Sequence, residues 1–170
     1  MSIDQQQSDA VISRCERYRY LLRRHGDVAH PERGTALFVM LNPSKADATE
    51  DDPTIRRCRG FARDWGCSGL VVANLYALRA TSPSDLWKAD DPVGPENDAY
   101  LRSLAREYRE AVFAWGANAP AERVAEVKAI FEDAGARMWC LGVTKSGAPR
   151  HPLYIPKDRE LVPWPATDTQ

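Results

Sequence analysis

Short apolar runs alternate along the chain with segments whose apolar positions recur every three or four residues. The runs end abruptly in polar residues or glycine, which is typical of buried strands, whereas a spacing of three and four is typical of helices with one buried face. The predicted strands lie within residues 35–44, 70–76, 111–115 and 137–141. Alternation of strand and helix predicts a three-layer α/β/α sandwich around a mainly parallel, four-stranded central sheet.

A different pattern precedes the first of these strands. Residues 15–22, CERYRYLL, alternate between aromatic and basic side chains, which predicts a half-exposed strand. The segment that follows contains Gly26, Pro31 and Gly34, a composition typical of a loop. We therefore expect this N-terminal strand to form an antiparallel hairpin with the strand that begins at Thr35, at one edge of the sheet.

Helices are predicted at residues 53–65, 83–87, 96–108 and 120–134. The first has the clearest start signal, because Asp52 can act as N-cap and Pro53 suits the first helical position. We expect a single domain over residues 11–160, a disordered segment over residues 1–10 and a surface tail over residues 161–170.

Composition narrows the class of partner. The 170 residues include 23 Lys+Arg and 24 Asp+Glu, a formal net charge of −1, so no global positive field attracts nucleic acid and any contact needs a local patch. The four cysteines show neither a C-x-x-C pair nor zinc-site spacing, which predicts reduced thiols and no metal or other cofactor. No apolar run approaches the ~20 residues of a membrane span. We expect a cytoplasmic protein, a monomer or small homo-oligomer.

Polar residues follow the predicted strands at their carboxyl ends, where open α/β sheets usually bind ligands. An asparagine there can hold a water or read a base edge, although a loop cap or turn is the alternative interpretation of each one. Recurrence at successive strand ends favours a site. The candidates of this edge are Asn42, Pro43, Ser44, Asn74, Arg79, Thr81, Lys145, Arg150 and His151.

Two groups among the candidates have specific chemistry. His151 can stabilise a developing anion or transfer a proton near neutral pH, whereas an exposed loop histidine without function is the alternative. Arg56 and Arg59 lie on one face of the helix that begins at Pro53 and could contact phosphate, since the arginine fork matches phosphate oxygens. The alternative is a solvated helix face paired with nearby aspartates.

Two long blocks support a resemblance to known proteins. LNPSKADATEDDPTIRRCRGFARDWG and NLYALRATSP resemble the signature of a widespread bacterial domain family of unknown function, over roughly residues 15 to 160. This resemblance assigns no chemistry.

More distantly, the order of motifs is similar to the uracil-DNA glycosylase superfamily, which has a three-layer α/β/α fold. In that superfamily an Asn-Pro or Asp-Pro motif positions the attacking water, and Asn42-Pro43 matches it. An asparagine that reads the pyrimidine edge corresponds to Asn74, and a His-Pro loop that stabilises the departing base corresponds to His151-Pro152. The superfamily's Ser-Pro after this loop is replaced here by Leu153-Tyr154.

The resemblance implies a glycosylase-like enzyme that hydrolyses or exchanges the N-glycosidic bond of a base, modified or not, in DNA. Asn42 and His151 would be catalytic, and the other candidates would bind substrate. Two alternatives stay open: a hydrolase acting on free nucleotides or nucleosides, and a non-catalytic module that binds a nucleotide or modified base. The sequence identifies neither the base nor the polymer state of the substrate.

Overall fold

The computed structural model describes residues 9–26 and 28–165. In this part of the chain seven strands form one mixed sheet in the order β1-β2-β4-β3-β5-β6-β7. The strands are β1 (Asp9–Ile12), β2 (Arg19–His25), β3 (Ala36–Met40), β4 (Gly69–Asn74), β5 (Glu110–Phe113), β6 (Arg137–Cys140) and β7 (Val162–Pro163). Neighbours from β4 through β3 and β5 to β6 run parallel, and the outer pairings are antiparallel.

The prediction of a mainly parallel four-stranded sheet with a single antiparallel edge strand is therefore wrong. The sheet is a mixed one of seven strands, with β1 and β2 at one side and β7 at the other. The two outermost strands have only four and two residues, too few for a period-two pattern to stand out. The expectation of a four-stranded sheet like that of the glycosylases is wrong for the same reason.

The predicted hairpin is also wrong. β2 pairs antiparallel with β4, with Leu22 opposite Val72, whereas β3 lies between β4 and β5 and pairs in parallel with both. Since β3 has parallel partners on both of its edges, no edge remains for β2. The loop after His25 instead carries the chain past β4 to the centre of the sheet.

Four α-helices cover the sheet in this part of the chain. They are α1 (Pro53–Asp64), α2 (Pro83–Lys88), α3 (Asn97–Tyr108) and α4 (Ala121–Asp133), followed by a 3-10 turn at Pro152–Tyr154. α1 packs in one apolar cluster with Phe38 and Val72, whereas α3 and α4 pack in a second cluster with Val39 and Phe113. Because side chains alternate along a strand, β3 serves both clusters. The Asp52 side chain accepts from the N–H of Ile55 at 2.9 Å, which confirms the predicted N-cap of α1.

Both ends of the described chain are built into the sheet. β1 begins at Asp9, inside the segment predicted to be disordered, while residues 1–8 lie outside the described part. β7 lies inside the predicted surface tail, and Trp164 is buried against Phe113 and Trp115, with ring centroids 5.6 and 5.4 Å away. Burial of the indole explains why a proline-rich segment is anchored here. Residues 166–170 lie outside the described part.

No helix of the described residues is long and apolar enough to cross a membrane. The parallel strands β3, β4, β5 and β6 end at the same edge of the sheet. The segments that follow them form the site described next.

Candidate active site

A cleft of about 410 Å³ opens beyond the carboxyl ends of β3, β4 and β5. It is bounded by the start of α1, by the segment after β3, by the loop after β5 and by the 3-10 turn. Its polar lining residues are Arg19, Asn42, Ser44, Asp52, Thr54, Asn74, Thr81, Asn118 and His151. Trp115 and Leu153 are apolar lining residues. The cleft therefore combines polar groups with apolar surface, as small-molecule sites usually do.

The Asn42 carboxamide is held in one orientation. Its Nδ2 donates to the carbonyl oxygens of Pro43 at 2.9 Å and Ala80 at 2.8 Å, which uses both amide hydrogens. The N–H of Ala80 in turn donates to the Pro43 carbonyl at 3.0 Å, so the two loops are fastened together. Oδ1 of Asn42 accepts from no described residue. It is therefore an oriented acceptor at the cleft.

Asn74 offers a hydrogen-bond donor, whereas Asn42 offers an acceptor. Its residue is 1% exposed, and its Nδ2 is buried without a partner among the described residues. Leaving a buried donor unpaired costs roughly 1–3 kcal/mol, so such a group in a folded protein calls for a reason. An acceptor on a ligand in the cleft would remove that cost.

His151 is fixed as a neutral donor. Its Nδ1 accepts from the N–H of Leu153 at 3.2 Å, so the neutral ring carries its hydrogen on Nε2. Burial lowers the pKa of His151 below its ordinary value, and the negative charge of Asp52 opposes that shift. At neutral pH the imidazole therefore offers an uncharged N–H.

Arg19 is a cleft residue that sequence reasoning missed. The residue is 2% exposed, and Nη1 donates to the Ala46 carbonyl at 2.8 Å, but its Nε is buried without a partner among the described residues. Burial lowers the pKa of Arg19 to about 10, with the Asp52 charge acting in the opposite direction, so the side chain stays cationic at neutral pH. Alternation with Tyr18 and Tyr20 predicts an exposed arginine, and no sequence signal places it at a ligand site.

The structure brings together five of the predicted site residues, namely Asn42, Ser44, Asn74, Thr81 and His151. Pro43 is buried beside them and contributes its carbonyl to Asn42. Asp52, predicted only as a helix cap, also lines the cleft, because the start of α1 faces it.

The predicted basic residues lie outside the lining of this cleft. Arg79 lines a neighbouring depression with Ser44 and Thr81. Arg56 lies in a groove on the outer side of α1, and Arg59 pairs with Asp51, with Nη1 3.0 Å from Oδ2. Lys145 and Arg150 are exposed on the loop after β6. Whether any of these five contacts a phosphate stays a prediction.

Within the described residues no group of three or more His, Cys, Asp or Glu side chains is arranged to hold a metal ion.

Comparison with known proteins gives a family and no activity. No curated protein and no solved structure matches the chain, so the distant resemblance to uracil-DNA glycosylases stays a prediction. The model of one family, described as proteins of unknown function (DUF1643), matches residues 19–153. That range runs from Arg19 in β2 to Leu153 in the 3-10 turn and so includes the whole lining of the cleft. The chain belongs to the DUF1643 family of proteins of unknown function.

Proposed function

We propose that the cleft binds a nucleobase and that the protein hydrolyses its N-glycosidic bond. One observation carries the proposal: a fixed acceptor on Asn42, an unpartnered buried donor on Asn74 and a neutral N–H donor on His151 line the same cleft. Nucleobases present carbonyl acceptors and N–H donors within one plane, which is the chemistry these groups match.

Each group has a role in cleavage. Oδ1 of Asn42 accepts a hydrogen bond from a water and orients it toward the anomeric carbon. Nδ2 of Asn74 donates to a carbonyl oxygen of the base. Nε2–H of His151 donates to the base as it departs with negative charge. Donors oriented in advance toward developing charge lower the barrier, and a single such donor contributes about 10²–10³ in rate.

The water also needs an acceptor for its proton, and a carboxamide is not a base. Asp52 lines the same cleft, and only its Oδ1 is used by the N–H of Ile55. As the water oxygen bonds to the anomeric carbon, its proton passes to the Asp52 carboxylate. The bond to the base nitrogen breaks with both electrons going to the base, which is protonated after release. Sugar and free base are the products.

The two alternative functions would use the cleft residues differently. A hydrolase of free nucleotides or nucleosides would use the same groups on a monomer, which agrees with a net charge of −1. A non-catalytic binder would use Asn74 for affinity but would have no need of a water held by Asn42. The experiment below separates the three.

Base release is measured by chromatography with mass detection on uracil-, hypoxanthine- and hydroxymethyluracil-containing oligonucleotides and on the matching nucleotides and nucleosides. We expect wild type to release a base, and Asn42→Ala, Asp52→Asn and His151→Ala each to lower turnover by about 10² or more. Arg102→Gln, on an exposed position of α3, is the matched control and should retain the wild-type rate.

Release that survives all three cleft substitutions would refute the assignment of roles. If no substrate yields free base while Asn74→Ala weakens binding of one of them, the binding-module alternative replaces the enzyme.

A further inference from the structure

Arg19 is a buried arginine that lines the cleft. The guanidinium of Arg19 has one half anchored, since Nη1 donates to the Ala46 carbonyl at 2.8 Å. Among the described residues its Nε is buried without a partner, and Nη1 is the one nitrogen of the guanidinium that hydrogen bonds to them. Nε and Nη2 form one edge of the guanidinium, the two-pronged edge that binds the paired oxygens of a phosphate or carboxylate. None of the described residues binds this edge.

No carboxylate among the described residues forms an ion pair with Arg19. Asp52 affects its pKa through charge, but Oδ1 of Asp52 accepts from the N–H of Ile55, and its Oδ2 forms no ion pair with Arg19. A cation that is 2% exposed, without a paired anion, is costly unless a ligand supplies that anion.

The start of α1 adds donors on the same cleft. Thr54 lines it, and neither its backbone N–H nor its hydroxyl has a partner within the described part of the chain. The N-terminal end of a twelve-residue helix carries partial positive charge and favours an anion there. Arg19 and the first turn of α1 therefore present hydrogen-bond donors to the same cleft, beside the Asp52 carboxylate.

We propose that Arg19 and Thr54 form an oxyanion subsite that takes the terminal phosphate of a mononucleotide. The inference rests on the proposed function and names its substrate class: a free nucleoside monophosphate, with the base at Asn74 and His151 and the phosphate at Arg19. A phosphodiester within a strand continues on both sides, so it would have to thread a polymer past a guanidinium that is almost fully buried. A terminal phosphate meets no such obstacle.

The first test uses inorganic phosphate, because that probe needs no knowledge of the base. At constant ionic strength, replacing chloride by phosphate should raise the Tm of wild type and leave Arg19→Lys almost unchanged. Lysine keeps the charge and can still donate to Ala46 but lacks the two-pronged edge. Arg23→Lys, at a half-exposed position of the same strand, is the control and should respond like wild type. An equal response of Arg19→Lys would overturn the subsite.

The second test separates the sources of the phosphate by calorimetry. Wild type should bind deoxyuridine 5′-monophosphate about tenfold or more tightly than deoxyuridine, and Arg19→Lys should remove most of that preference. A uracil-containing oligonucleotide without terminal phosphate should bind no better than the nucleoside. Tighter binding of the oligonucleotide, lost in Arg19→Lys, would assign Arg19 to the backbone of a polymer and refute the mononucleotide.

If Arg19→Lys does not fold, Thr54→Val carries the test, since it removes a hydroxyl of the subsite without changing charge or shape. It should reduce the phosphate preference about threefold or more, and an undiminished preference would refute the subsite. The two proposals fail separately. If the protein prefers the phosphorylated ligand but releases no base, the subsite stands and the glycosidase is refuted. If it releases base equally well with and without the phosphate, the glycosidase stands and the subsite is refuted.

Discussion

Two buried arginines on β2 differ in how fully they are engaged. Arg24 is 3% exposed, and its Nε donates to Oδ1 of Asp51 at 2.7 Å. Its two terminal nitrogens donate to backbone carbonyls of Asp9, Arg23, Asp47, Ala48 and Glu50. The Arg19 side chain is just as buried, but among the described residues it donates only to the Ala46 carbonyl.

The difference separates structure from site. Arg24 joins the segment before α1 to the sheet with all its donors used, whereas Arg19, at the other end of the strand, lines the cleft and has an Nε without a partner among the described residues. The same residue type in one strand thus serves stability at one position and is available to a ligand at the other.

The largest effect is expected for Arg24→Ala. Removing Arg24 leaves Oδ1 of Asp51 and several carbonyls unpaired, while Oδ2 of Asp51 keeps Arg59. The loss of these buried hydrogen bonds should lower the free energy of unfolding by about 3–5 kcal/mol. Arg19→Ala leaves only the Ala46 carbonyl without its donor and should cost about 1–2 kcal/mol. Urea unfolding followed by circular dichroism measures both. A cost for Arg19→Ala equal to that of Arg24→Ala would show that Arg19 is structural too.

An intermediate effect is expected when the pH is lowered, because titration of His151 changes the free energy of unfolding. The unfolded histidine titrates near 6.5, whereas burial keeps the pKa of folded His151 lower. At a pH between the folded and the unfolded pKa, the unfolded chain binds more protons than the folded protein. The contribution of His151 to the free energy of unfolding is therefore fully present above pH 6.5 and declines as the pH falls below that value toward the folded pKa.

The measurement compares wild type with His151→Asn between about pH 7.5 and pH 5, since an asparagine can still accept from the Leu153 N–H. Wild type should lose more stability on acidification. Base release should fall in the same window because a protonated Nδ1 can no longer accept from the Leu153 N–H that orients the ring. Parallel curves for the two proteins would contradict the assigned protonation state.

The smallest effect is expected for Arg23→Ala. This third arginine of β2 is half-exposed, and its Nη1 lies 3.6 Å from Oδ1 of Asp9. An exposed ion pair of that kind contributes about 0–1 kcal/mol, so the urea midpoint should hardly move. If Arg23→Ala lowered the free energy of unfolding as much as Arg24→Ala does, burial could not explain the difference between the arginines of β2.

Elements with strong local signals were predictable. The predicted helix start at Asp52-Pro53 is the one observed, since an N-cap and a first-position proline act through neighbouring atoms. The short edge strands β1 and β7 were not predictable, because Asp9–Ile12 and Val162–Pro163 form strands only through the partner that each finds. The pairing of β2 with β4 depends likewise on which edges of the sheet other strands leave open.

The sequence alone determined the alternation of strands and helices and the polar ends at Asn42 and Asn74, because these depend on local pattern. Only the tertiary structure decided that Arg19 is buried with an Nε that no described residue binds, and that Asp52 lies at the same cleft as His151. Burial and hydrogen-bond partners are set by residues distant in the chain, so no local pattern carries them.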